Sequence, residues 1–183
     1  SLRWMQENSP YFSEEEYLAV PMSSLIHRKA ALSDLYIRLG TGRMVKVAHK
    51  GGAIDVDRIE RLSEKNVQHL YVHRSEFAGI VSDLVRGAET LTGMNQVPND
   101  MKLAKFFNIA ESVYTELMSL PISDESLGRA IRLSTEISNT MRDKPDFTKL
   151  IKSVVGMGDE FSRHSLGSVV MSNLLVAQLE WSS

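Results

Sequence analysis

Two side chains toward the end of this 183-residue chain have the types and spacing to hold a metal ion. They are Glu160 and His164, in Asp159-Glu160-Phe161-Ser162-Arg163-His164-Ser165-Leu166. A helix beginning near Asp159 stands them at i and i+4, on one face and about 6 Å apart at Cβ. Imidazole and carboxylate donors suit zinc, iron or manganese. Downstream, Val169, Val170, Leu174, Leu175 and Leu179 form an apolar side that buries such a helix and fixes the pair. Two ligands do not close a site, so the others must come from elsewhere. The same spacing also describes a solvated pair at a helix start, where the macrodipole favours the acid. Residue types alone leave both readings open.

The other imidazoles are His27, His49, His69 and His73. His69 and His73 fall on a predicted strand, where i and i+4 share a face but lie roughly 13 Å apart, too far to chelate one ion. They read as sheet-face histidines with no assigned role. Arg28, Lys29, Arg38, Arg43, Lys46 and Lys50 cluster against a single acid, Asp34. Guanidinium forks suit phosphates, which makes Arg38, Arg43 and Lys46 candidate ligands for a phosphate or nucleotide. Alternation equally makes such residues the wet face of a half-buried sheet. Gly40-Thr41-Gly42 lacks the dinucleotide-binding spacing and reads as a hairpin turn. No Gly-x-Ser-x-Gly is present, and none of the Asp-Glu pairs has a histidine or serine partner predicted nearby, so the chain offers no catalytic acid–base or nucleophile candidate.

The elements that position these residues follow from periodicity. Tyr17-Leu18-Ala19-Val20 predicts a short strand stopped by Pro21, after a loose lead-in. Residues 35–39 and 44–48 predict a hairpin around the Gly-containing turn. Asp55 to Leu62 predicts a helix and residues 68–73 another strand. Ser75 is the expected N-cap of a helix from about Glu76 to Leu91, with Phe77, Ile80, Val81, Leu84 and Ala88 inward.

Thr92 to Asp100 is the clearest break. Beyond it, helices are expected from about Asp100 to Ser119 and from Ser123 or Asp124 to Met141. The first turns Leu103, Phe106, Phe107, Ala110, Val113, Tyr114 and Leu117 inward, the second Leu127, Ile131, Leu133, Ile137 and Met141. The stripe Phe106, Phe107, Tyr114 and Met118 reads as core in preference to a partner surface. A short helix over 146–155 and Gly156-Met157-Gly158 then precede the His164 helix. The expected class is α+β: an α+β domain with a trailing helix over 1–92, a helical connector over 93–155, and a further helix over 156–183.

Hydrophobic residues make up 43% and charged residues 24%, as in an ordinary globular protein. A net charge of −2 provides no bulk attraction to nucleic acid or anionic membrane. The absence of cysteine removes disulfides, thiolate zinc sites and cysteine nucleophiles together. No apolar run reaches 18 residues and the start has no secretory h-region. The expectation is a cytoplasmic protein without nucleic-acid or membrane partners, its oligomeric state open.

The stretch Glu160-Phe-Ser-Arg-His164-Ser165-Leu166-Gly167-Ser168-Val169, running on through Leu175-Val176-Ala177-Gln178-Leu179-Glu180-Trp181, resembles the opening helix of the metal-dependent HD phosphohydrolases. It looks most like the HD-GYP branch, the bacterial cyclic di-GMP phosphodiesterases. The resemblance implies that His164 is a metal ligand and that Glu160 is a second one, as in members with a trinuclear site. Gly167 stands where the family often has Arg. The resemblance covers about the last quarter of the chain, and the chain is expected to be truncated before the His-Asp doublet and Gly-Tyr-Pro region that name the family.

It further implies an all-helical phosphohydrolase domain, iron or manganese as cofactor, and a cyclic dinucleotide substrate attacked by a water-derived hydroxide. The front domain would then be a sensory or partner-binding domain in signal transduction. The competing expectation is a non-enzymatic regulatory module that binds a protein partner or a nucleotide.

Overall fold

Short runs rich in β-branched and aromatic residues, punctuated by Gly and Pro, become the four strands of one sheet. The computed structural model describes residues 16–25, 28–39, 42–55, 57 and 68–142. The strands are β1 (Tyr17–Pro21), β2 (Leu35–Arg38), β3 (Met44–Ala48) and β4 (His69–His73). They pair antiparallel throughout, in the order β1-β4-β2-β3. Pro21 ends β1 on the edge of the sheet, where its missing N–H costs no ladder bond. The Met22 amide, in a following 3-10 turn (Met22–Ser24), still donates to the Gln68 carbonyl at 2.9 Å. The expected hairpin is present. The Leu39 amide donates to the Arg43 carbonyl at 2.9 Å, and Gly42 turns the chain with φ of 80°.

The period of two sorts the sheet into two faces. Leu18 lies opposite Val72 and Val20 opposite Leu70, and with Ile37 they form one buried face. Leu25, Ala31, Leu35 and Ile54 are also buried. The opposite face carries Tyr36, in register with Lys46 and Tyr71, and Tyr17, which lies opposite His73.

The chain divides into two compact units, Ser1–Ile80 and Val81–Ser183. Helix α1 (Arg74–Thr92) spans that division, whereas the composition break at Thr92 marks the gap between α1 and α2 (Asn99–Ser119). Phe77 and Ile80 belong to the buried residues of the first unit. The expected cap at Ser75 is corrected: β4 runs directly into α1, which starts at Arg74 and takes Ser75 into its first turn. The acceptor that permits this comes from His73, whose ring replaces a serine hydroxyl as the cap.

In the second unit, Val81, Leu84 and Ala88 of α1 are buried as expected, and Val85 is buried with them. A short loop over 120–123 joins α2 to α3 (Asp124–Arg142), and these two helices pack on one another. Ser123 caps α3: its Oγ accepts the Ser126 amide at 3.2 Å, while Ser126 Oγ accepts the Ser123 amide at 2.9 Å. This is a capping box with serine in the place usually taken by glutamate.

Leu103, Phe106, Phe107, Val113, Leu133, Ile137 and Met141 are buried as expected. Two other expectations are corrected. Leu127 and Ile131 are 45% and 67% exposed, because α3 instead turns Ser126, Arg129 and Thr140 inward. Met118 is likewise 68% exposed, so it leaves the core stripe.

Among the described residues the fold is α+β: a four-stranded antiparallel sheet with three α-helices. The helix expected from Asp55 and all elements expected beyond Arg142 lie outside the described residues. Among the described residues, no helix is long and apolar enough to cross a membrane.

Candidate functional site

The basic residues around the hairpin are met by two carboxylates. Lys46 on β3 pairs with Asp34, whose other oxygen accepts the Lys50 amide at 2.8 Å. Lys50 Nζ donates to Glu76 Oε1 at 2.7 Å. The fully buried Ser33 hydroxyl donates to the other Glu76 oxygen. Lys50 thus bridges Asp34, through its backbone, and Glu76, through its side chain. This network ties the entry to β2, the exit from β3 and the first turn of α1. Gly51, with φ of 75°, shapes the exit from β3, and its amide donates to the Ala31 carbonyl at 2.8 Å.

Opposite charges set the protonation of these groups. The Lys46 ammonium, and then the Lys50 amide, hold the Asp34 carboxyl below its ordinary value. Lys50, and then Ser33, do the same for Glu76. Lys46 and Lys50 are raised in turn, chiefly by Asp34 and Glu76 respectively.

Beside this network lies an aromatic patch. Tyr17 and Tyr36 meet edge to face with centroids 4.9 Å apart, and Lys46 Nζ sits 5.5 Å from the Tyr36 centroid. Burial pushes the Tyr17 hydroxyl above its ordinary value. The His73 ring stands edge-on to Tyr17 at 5.7 Å.

Of the residues singled out for phosphate binding, Arg38 is exposed at the end of β2, opposite Met44, and Arg43 is exposed beside the hairpin turn. Lys46 is drawn into the pair with Asp34. The structure therefore brings Lys46 and Lys50 together, with their charge already matched. Glu76 lies 43 positions from Ser33, and no local pattern marks the two as partners. Glu160 and His164 lie outside the described residues. Among the described residues, no group of three or more His, Cys, Asp or Glu side chains is placed to hold a metal ion.

No family model matches the chain, and no curated protein matches it. Among solved structures, the chain is similar to Bd1817, a HDG"Y"P protein from Bdellovibrio bacteriovorus, at 14% sequence identity and a TM-score of 0.48. The match covers 79% of this chain and 46% of that one, so this chain spans about half that protein's length.

Proposed function

We propose that the chain is part of a cytoplasmic bacterial signalling protein of the HD-GYP type. An α+β regulatory domain and a helical connector would lead into the first helix of a metal-dependent cyclic di-GMP phosphodiesterase domain. One observation carries this reading: the run from Glu160 through His164-Ser165 into a small-and-aliphatic helix ending at Leu179-Glu180-Trp181. His164, with Glu160 beside it, would hold iron or manganese, which neutral imidazole and carboxylate donors suit. When bound, the ion would supply Lewis acidity and charge stabilisation toward a phosphodiester. No His-Asp doublet occurs in the 183 residues, so the remaining ligands would come from outside them.

The test is metal analysis of the polypeptide extended past Ser183, alongside its His164→Ala variant. Iron or manganese that is present in the first and lost in the second supports the reading. A metal-free, well-folded extended protein overturns it. The 183 residues alone are expected to leave cyclic di-GMP intact.

A second reading, a non-enzymatic module that docks a protein partner, is favoured by Met118, Ile122 and Ile131. These side chains are 68%, 66% and 67% exposed around the α2–α3 turn and the first half of α3. It predicts the metal-free outcome of the same experiment. It also predicts that Ile122→Ser with Ile131→Ser abolishes capture of the partner without altering the fold.

A further inference from the structure

At the junction of β4 and α1, the Ser75 amide donates to His73 Nδ1 at 3.3 Å, and the Ser75 hydroxyl lies 2.8 Å from the same nitrogen. A backbone N–H can only donate. The receiving nitrogen must therefore carry a lone pair, which places the proton of the neutral ring on Nε2. His73 is thereby the N-cap of α1 and satisfies one of the amides that a helix start leaves orphaned. A second proton on this ring has only Nδ1 to occupy. It would consume the lone pair, strip the Ser75 amide of its acceptor and force the hydroxyl contact to reverse. It would also place a positive charge at the positive end of the helix dipole.

The groups around the ring come from several elements. From β1, Tyr17 lies opposite His73 and stays neutral, while Glu16 is exposed and its carbonyl accepts the Arg74 amide at 2.8 Å. From β2 comes Tyr36, packed on Tyr17, with Lys46 of β3 over its ring. His69 shares the face on β4. On α1 stand Arg74 and Glu76, the latter's carboxylate already bound by Lys50 and Ser33. Glu16 and Glu76 attract an imidazolium and Arg74 and Lys46 oppose it, but neither effect returns an acceptor to the Ser75 amide.

The geometry points to His73 as a proton-responsive cap: neutral, it holds the first turn of α1 closed, and protonated, it releases that turn. Helix α1 is also the element that carries the chain from one compact unit into the other. The inference does not depend on the hydrolase reading.

The test is NMR of the whole chain. At about pH 8, the His73 nitrogen shifts are expected to report the Nε2–H tautomer. Between about pH 8 and 5.5, the protection factor of the Ser75 amide, corrected for intrinsic exchange, is expected to fall about fivefold, the scale of a lost cap. His73→Asn, a cap that does not titrate, keeps the protection and loses the pH dependence. His73→Ala is low at both pH values. A wild-type ring protonated on Nδ1 at about pH 8 overturns the inference. So does a wild-type protection factor with the same pH course as His73→Asn. Should the variants not fold, the wild-type tautomer and the titration of the Ser75 amide decide it.

Discussion

Arg129 of α3 grips Glu116 of α2 with two guanidinium nitrogens, Nε donating to Oε2 at 3.0 Å and Nη2 to Oε1. Both side chains are buried, Glu116 to 2% exposure and Arg129 to 8%. A fork-on-fork pair out of water is held by geometry, since the Coulomb gain must offset the desolvation of two charges. Removing one partner strands the other. Arg129→Met is therefore expected to lower stability by about 3 kcal/mol, and Glu116→Leu combined with Arg129→Met to restore most of that loss. Urea denaturation followed by helical circular dichroism measures both.

That pair also marks where sequence reading stopped. The strands, the hairpin and the three described helices follow from local periodicity and turn chemistry, and, apart from the start of α1, they stand about where the pattern placed them. The inward face of the first half of α3 does not follow from it. Counting apolar positions turns Leu127 and Ile131 inward, yet the helix rotates them out because Arg129 must reach a carboxylate on α2. A buried charge leaves no apolar signal, and its partner lies 13 positions away on another helix. Lys102 repeats the lesson: it is 5% exposed, and its Nζ donates to the Thr92 carbonyl at 3.0 Å, closing the end of α1. In the candidate site, the basic residues and Asp34 were legible as a cluster. Glu76, which neutralises Lys50, was not, because only the fold brings α1 to the hairpin.

The Ser123–Ser126 capping box sets the start of α3. Ser123→Ala removes the acceptor for the Ser126 amide and is expected to cost about 1 kcal/mol. Ser123→Asp, which keeps an acceptor and adds a charge favoured at a helix start, is expected to be neutral or stabilising. Thermal unfolding of the two variants compares them directly.

If the basic hairpin takes a phosphate, the ligand must compete with Asp34 for Lys46. Asp34→Asn is then expected to tighten binding of cyclic di-GMP to this region. Arg38→Ala and Arg43→Ala are each expected to weaken it by roughly tenfold, the scale of one charge-assisted hydrogen bond. Isothermal titration calorimetry reads all three, and an affinity indifferent to them removes the hairpin as a ligand site.

The Asp34–Lys46 and Glu76–Lys50 pairs make the first unit sensitive to acid. Both carboxyls sit below their ordinary values in the folded chain, so their contribution is complete above the unfolded carboxylate range near about pH 4 and disappears as pH falls through the folded values. The raised lysines act at the other end: their contribution is lost only as pH rises past the ordinary lysine range. Urea midpoints measured from about pH 7 down to about pH 3 should therefore fall at the acid end. Glu76→Gln and Asp34→Asn should each flatten that fall, since each carboxylate is held by a lysine and by a second donor, the Ser33 hydroxyl for Glu76 and the Lys50 amide for Asp34. Roughly 1 M salt, with a screening length near 3 Å, should shrink the wild-type acid dependence, since the Lys50 side chain is 65% exposed. The bonds from the Ser33 hydroxyl to Glu76 and from the Lys50 amide to Asp34 are not pairs of full charges, so part of the dependence should survive the salt in wild type and shrink in Glu76→Gln.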